Sequence, residues 1–261
     1  MLFRSYGEPW AGSDDTGISN AVSKANLGSM QRVGAFNESY SDALKGSHES
    51  ATGTGFLNGG AATEVLNGAR GTATGYSGAK PIQLVNYTDN HDNWTLFDKI
   101  LAANGTSGFK TGKDDPTLYT TNKNVVNTTD AKVKGQVKIA LTSSLTSQGI
   151  PFTVAGTEFA RTKYGDQNSY RSPDNMNAID WNRASTYSDI ADYYAGLIAI
   201  REAVSAFGDA TADSITTVSG ATAWQITNNK SGDGKAYKLG EEITYKITVK
   251  NDGNQIGRAH V

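Results

Sequence analysis

The sequence predicts an α/β chain built on a parallel sheet, followed by a short all-β segment. Three observations carry this. Apolar runs bounded by turn residues alternate with stretches of helical period through residues 1–207. After Phe207 the helical period disappears, and polar–apolar alternation takes over in "ATAWQITN" and "EEITYKITVKN". With 37% hydrophobic and 19% charged residues over 261 positions, the chain can form a packed core.

Residues 1–6 read as a short strand, broken by "GEPW" (7–10). Residues 11–31 form a polar loop with at most one helical turn. "RVGAFN" (32–37) is a second strand, and "ESYSDALKG" (38–46) a short helix stopped by Gly46. A stretch rich in Gly, Ala and Thr follows, with one helical turn near 64–67. "KPIQLVNYT" (80–88) is a buried strand, and "WTLFDKILAAN" (94–104) a helix with Leu96, Phe97, Ile100 and Leu101 on one face. Residues 105–127 form a long polar loop of the kind that carries function. A helix over 129–149 has Val133, Val137, Ala140, Leu141 and Leu145 as its stripe. "IPFTVAG" (150–156) is a strand, 161–180 a polar loop, and 189–204 the most strongly patterned helix. Functional groups should gather where the strands of such a sheet end.

Several chemistries are excluded. Net charge is −2 without a basic block, so no nucleic-acid surface is expected. The absence of cysteine removes disulfides, zinc–thiolate sites and thiol catalysis. Only His48, His91 and His260 are present, too few for a His-rich metal centre. No apolar run approaches the roughly 18 residues of a membrane span. "GFKTGKD" (108–114) has the wrong glycine spacing for a phosphate loop, and neither G-x-G-x-x-G nor G-x-S-x-G occurs.

The richest stretch is "NYTDNHDNWTLFD" (86–98). His91 and Asp92 follow a strand and precede a helix, where the helix dipole favours an ionised carboxylate. The plainer alternative is that Asp92 or Asn93 caps the helix. Glu8, beside Pro9 and Trp10, suits a general acid against an apolar wall, or a loop carboxylate accepting a backbone bond. If Glu8 and Asp92 end two strands of one barrel, they would flank a glycosidic bond. Trp10, Trp94 and Tyr170 would offer stacking faces to pyranose rings, or serve the core. Asp114, Asp115 and Asp166 are conceivable calcium ligands, but solvated loop acids are the commoner case; no metal or other cofactor is assigned.

Taken in order, "YGEPW", "FNESYSDALKGS", "VNYTDNHDNWTLFDKI", "GIPFTVAGTEFARTKYGDQNSYRSPDNMNAIDW" and "YYAGLIAIREAVSAF" resemble type I pullulanases, debranching enzymes of glycoside hydrolase family 13. The resemblance implies a (β/α)₈ TIM barrel followed by a β-sandwich, and retaining hydrolysis of α-1,6-glucosidic bonds in pullulan, amylopectin and glycogen-type glucans. Glu8 matches the general acid/base after the fifth barrel strand. Asp92 matches the transition-state-stabilising aspartate after the seventh, and His91 its sugar-hydroxyl partner. Trp10, Asn93, Asp166, Asn168 and Tyr170 correspond to substrate-binding positions. The family's nucleophile, an aspartate in a phrase like G-F-R-F-D, is absent from these residues. The implied architecture is therefore the C-terminal half of the barrel, strands five to eight, over 1–207. A partial sandwich covers 208–255, and 256–261 ("IGRAHV") is expected to be a non-native tail. A junction is expected near 232–234, and the missing N-terminal half of the barrel would be a partner. Without the nucleophile the isolated chain is expected to be inactive. An extracellular or cell-surface location follows from the family alone. The alternative is a non-catalytic α-glucan-binding or cell-surface module.

Overall fold

Four short parallel strands form the scaffold, adjacent in the order in which they occur: β1 (Ser5–Gly7), β2 (Val33–Phe36), β3 (Leu84–Tyr87) and β4 (Ile150–Phe152). The computed structural model describes residues 5–10, 21–204, 206–209, 215–217, 223–228, 243–249 and 259–260. Ser5 lies opposite Val33, Ala35 opposite Leu84, and Val85 opposite Ile150. All of β3 is buried, as befits a strand covered on both faces. β1 and β4 are the sheet's edges among the described residues. Pro151, which has no N–H to give, falls in an edge strand.

Helices cross between the strands. α1 (Glu38–Lys45) and α2 (Thr63–Ala69) connect β2 to β3. α3 (Leu96–Ala103), α4 (Thr117–Asn122) and α5 (Ala131–Leu145) connect β3 to β4. After β4 come α6 (Asp174–Asn177), α7 (Asn182–Thr186), α8 (Ser188–Ala203) and α9 (Ala206–Asp209). The caps explain several of the starts. Asn37 accepts from the Tyr40 amide at 3.1 Å, and Asp130 from the Lys132 and Val133 amides at 2.8 and 3.1 Å. Gly46 ends α1 with φ 92°, and a Cβ there would sit 2.0 Å from the Gly53 carbonyl oxygen, so only glycine fits.

The stripes read from the sequence form the core. Leu96, Phe97, Ile100 and Leu101 are buried, as are Val133, Val137, Ala140, Leu141 and Leu145. Through them α5 packs against both α3 and α8. Several buried polar groups in this layer are paired: the Tyr40 hydroxyl donates to Ser143 Oγ at 2.8 Å, and Asn37 Nδ2 to Asn86 Oδ1 at 2.8 Å.

The expected loops contain more order than their composition suggests. Residues 105–127 include α4 and a 3₁₀ turn at Val125–Asn127, and 161–180 include a 3₁₀ turn at Ser169–Arg171 and α6. "TLYTTN" is a weak helix former, so α4 is held by tertiary bonds. Its Asn122 side chain donates to the Lys110 and Tyr164 carbonyls, both at 2.7 Å. The strand expected over 150–156 stops at Phe152, because the chain turns into a 3₁₀ segment (Thr157–Phe159) after Gly156.

Farther on, β5 (Ile215–Thr217), β6 (Ala223–Asn228), β7 (Ile243–Val249) and β8 (Ala259–His260) form one antiparallel sheet. Among the described residues these four strands make one sheet. The tail set apart on sequence grounds contributes β8 to it. The junction expected at 232–234, residues 1–4 of the first strand and residues 11–20 of the following loop lie outside the described residues.

Candidate active site

Glu8 is the residue directly after β1, and His91 and Asp92 follow the end of β3 closely. Both segments leave the C-terminal ends of parallel strands, and the strand between them, β2, sets their spacing. Glu8 Oε1 lies 3.1 Å from His91 Nε2, and Asp92 Oδ2 lies 3.4 Å from the same nitrogen. The three ligating atoms all fall within 4.8 Å of one another. One imidazole thus bridges two carboxylates from strands that are not neighbours. All three residues are exposed, with the Glu8 side chain 33% and the Asp92 side chain 59% accessible. Chemically, the group offers one proton donor between two acceptors, open to a large ligand.

Local structure explains why Asp92 points outward. Thr95, not Asp92 or Asn93, caps α3, accepting from the Asp98 amide at 3.2 Å. Asn90 Oδ1 receives the Asp92 amide at 3.0 Å, and Asn93 takes the left-handed conformation with φ 60°, which Asn tolerates better than most residues. The turn is anchored from below by Asp89, which is fully buried. Its oxygens accept from the Leu96 amide (3.0 Å), the Val154 amide (3.2 Å) and the Thr157 hydroxyl (2.7 Å). Sequence reasoning passed over Asp89, because nothing in "NYTDNHDN" sets it apart from Asp92.

Lys45 supports the same turn. Its buried ammonium donates to the Thr88 carbonyl and Ser41 Oγ, both at 2.7 Å, and stands 5.0 Å from the Tyr87 ring centre. Burial lowers its pKa to about 8, against the opposing pull of Asp89 and Asp42.

A cleft of about 270 Å³ opens beside this cluster, lined by Trp10, Lys24, Glu38, His48, Asp92 and Asn93 among others. Trp10 is 40% exposed and offers its indole to the cleft. The apolar wall expected behind Glu8 is therefore open, with Pro9 buried but Glu8 itself exposed. Lys24, Glu38 and His48 were not singled out from the sequence. Their segments are far apart in the chain and meet only through the fold.

The remaining expected site residues belong to a different structure. Asp166 is buried, accepting from the Asp114 amide (3.2 Å), the Asn168 amide (2.9 Å) and the Ser172 hydroxyl. Its oxygens are taken by the loop, so it shapes the segment carrying Asn168 and Tyr170. Asn168 Nδ2 is spent on the Asp114 carboxylate at 3.0 and 3.1 Å, whereas Tyr170 is 70% exposed. Neither is among the residues lining the cleft. The same loop is tied to α3 by Asp98, fully buried, which accepts from the Lys163 amide (2.8 Å), the Gly165 amide (3.1 Å) and the Thr162 hydroxyl. Burial raises the pKa of Asp98, and these hydrogen bonds oppose the rise. Trp94, considered as a stacking face, is buried instead and donates to the Gly165 carbonyl at 3.2 Å.

Among known proteins, no family model matches the chain. It is 32% identical over 209 residues to a pullulanase of Bacillus subtilis, a match covering 77% of this chain and 26% of that protein. An isoamylase from a Flavobacterium species is 29% identical over 136 residues, covering 49% of this chain and 17% of that protein. In three dimensions the chain resembles the pullulanase of Anoxybacillus sp. LM18-11 solved with maltotetraose. There the TM-score is 0.73 and the identity 27%, over 95% of this chain and 33% of that one. The chain thus spans about a sixth to a third of the length of these relatives.

Proposed function

The chain belongs to the pullulanase-type debranching branch of glycoside hydrolase family 13, and from that premise we propose that it supplies part of a centre hydrolysing α-1,6-glucosidic bonds in pullulan-type glucans. One observation carries the reading: Glu8 and Asp92, delivered by separate parallel strands, meet at His91 Nε2 on the C-terminal rim of the sheet.

In this reading Glu8 is the general acid/base. It protonates the leaving glycosidic oxygen and later removes a proton from the attacking water. Asp92 stabilises the positive charge that develops on the sugar as the bond breaks. His91 holds a sugar hydroxyl and, through its contacts to both carboxylates, fixes their separation. Retaining hydrolysis also needs a nucleophile about 5–5.5 Å from the acid. No aspartate in a G-F-R-F-D-type phrase occurs in the 261 residues, so the chain by itself is expected to bind glucan without turning it over. The outward-facing Trp10 supports binding, since an exposed indole is a ready stacking face for a pyranose ring.

The test is affinity electrophoresis of the chain in gels containing pullulan, paired with an assay for reducing ends. Retardation that is lost in Trp10→Ala, with no sugar released, is the expected outcome. Unretarded migration of the parent chain would sink the reading. Sugar release abolished by Glu8→Gln would show that the chain is catalytic without the missing phrase.

A further inference from the structure

Lys99, on α3, is fully buried and has no part in the reaction above. Its ammonium donates to the carbonyl oxygens of Ser47 (3.0 Å), Gly53 (2.9 Å) and Ser50, and that of Ala51 stands at 3.3 Å. The ring centre of Trp94 lies 5.7 Å from the same nitrogen. Four carbonyls of one short turn thus converge on a single point in the interior. Their dipoles present negative ends to one another, which is unfavourable away from water unless a donor or a cation sits among them. Bonds within the turn do little to meet that need. The Ser50 amide reaches the Ser47 carbonyl and the Gly53 amide the Ser50 carbonyl, both at a long 3.3 Å.

The same turn carries His48, which lines the cleft. His48 Nδ1 is 3.0 and 3.1 Å from the two Asp42 oxygens, and the His48 amide donates to Asp42 at 3.0 Å. Asp42 belongs to α1 and Lys99 to α3, so two helices grip the turn through side chains. Burial lowers the pKa of Lys99 to about 8, the Lys45 charge adds to the fall, and Asp42 opposes it. Below that pH the group among the carbonyls is an ammonium ion.

An ammonium brings three N–H donors and a full charge, and here it meets four carbonyl oxygens and an aromatic ring. That set recognises the head group alone, and the aliphatic stem serves as its tether. We propose that the 47–53 turn is a receptor for a primary ammonium ion, occupied in this chain by the Lys99 side chain, and that this ion fixes the backbone from which His48 reaches the cleft. Lys99 is therefore a positioning residue for the cleft wall, acting through the turn. With the tether removed, the same oxygens should accept a free alkylammonium of matching length.

The first measurement uses the parent chain. NMR of its lysine ammonium groups below pH 8 should show one that exchanges slowly with water and correlates through its side-chain carbons to Lys99. A Lys99 ammonium that exchanges as fast as that of the exposed Lys113 would overturn the proposal, whatever the variants do. Lys99→Ala then removes tether and ion together, and n-propylammonium chloride is titrated back. The expected result is a saturable rise of about 2–4 °C in Tm. The His48 imidazole signals should shift in Lys99→Ala and return with n-propylammonium, while those of His91 stay in place. Tetramethylammonium chloride, which has no N–H, and n-propanol, which has no charge, should restore neither. Lys99→Met, whose side chain fills the space of the stem, should gain nothing from n-propylammonium. An equal response of Lys99→Ala to all three solutes, or no response to any, would show that the turn reads no ammonium. If Lys99→Ala fails to fold, the exchange rate in the parent chain decides. Neither measurement involves a glucan, so the outcome is independent of the hydrolase reading.

Discussion

Two sets of carboxylates lie in the segments that follow these parallel strands, and they are treated in opposite ways. Asp89, Asp98 and Asp166 are buried, and their oxygens receive backbone amides and hydroxyls from both neighbouring and distant parts of the chain. Glu8, Asp92 and Glu38 are at least partly exposed, and their charged contacts are to His91, His48 and Lys24. A saturated carboxylate is a clamp. A carboxylate paired only with a titratable or mobile cation keeps lone pairs free for a ligand. Position at a strand end does not separate the two classes, but the number of committed hydrogen bonds does.

The largest expected effect is on a clamp. Asp98→Ala strands two buried amides and a hydroxyl, and should cost about 4 kcal/mol of stability in urea unfolding. A loss below about 1 kcal/mol would break the distinction. Asp166→Ala removes a less enclosed set of partners and should cost about 2 kcal/mol. It should also speed proteolytic cleavage within 112–116 and 161–172, the two loops that Asp166 joins. Lys99→Met is expected to cost a similar amount, because it leaves carbonyls of the 47–53 turn without a donor.

Titration sharpens the comparison from another side. Burial holds the pKa of Lys45 at about 8, and burial together with the Lys45 charge does the same for Lys99. An unfolded lysine titrates near 10.4. Between about pH 8 and pH 10 the unfolded chain therefore binds more protons than the folded one, and stability should rise with pH. Unfolding midpoints measured across that window should climb in the parent chain and less steeply in Lys45→Met. A flat profile would mean that both ammonium groups are better solvated than their burial implies.

Much of the scaffold was legible in the sequence because the hydrophobic period decides it. Leu96, Phe97, Ile100 and Leu101 mark one face of α3, and that face is the buried one. "GEPW" and "HDN" were legible as strand-end punctuation carrying carboxylates. What the sequence hid is what the third dimension assembles. Nothing local distinguishes Asp89 from Asp92, three residues on, because the difference lies in Val154 and Thr157, supplied by the chain after β4. Helix α4 was invisible because its Thr- and Asn-rich residues have no helical preference, and Asn122 holds it from outside. The wall of Lys24, Glu38 and His48 was invisible for the same reason, since its three residues share no local pattern.

The smallest stability effects are expected at the rim. Glu8→Gln and Asp92→Asn should each change stability by less than about 0.5 kcal/mol, since exposed ion pairs contribute little. That near-neutrality makes the rim suitable for the decisive measurement, which is the migration of the chain through pullulan gels alongside Trp10→Ala and Asp98→Asn. The account predicts that the folded parent chain is retarded, that Trp10→Ala runs free while melting normally, and that any folded Asp98→Asn is still retarded. Equal migration of all three with and without pullulan would contradict the claim that this rim is built to hold an α-glucan.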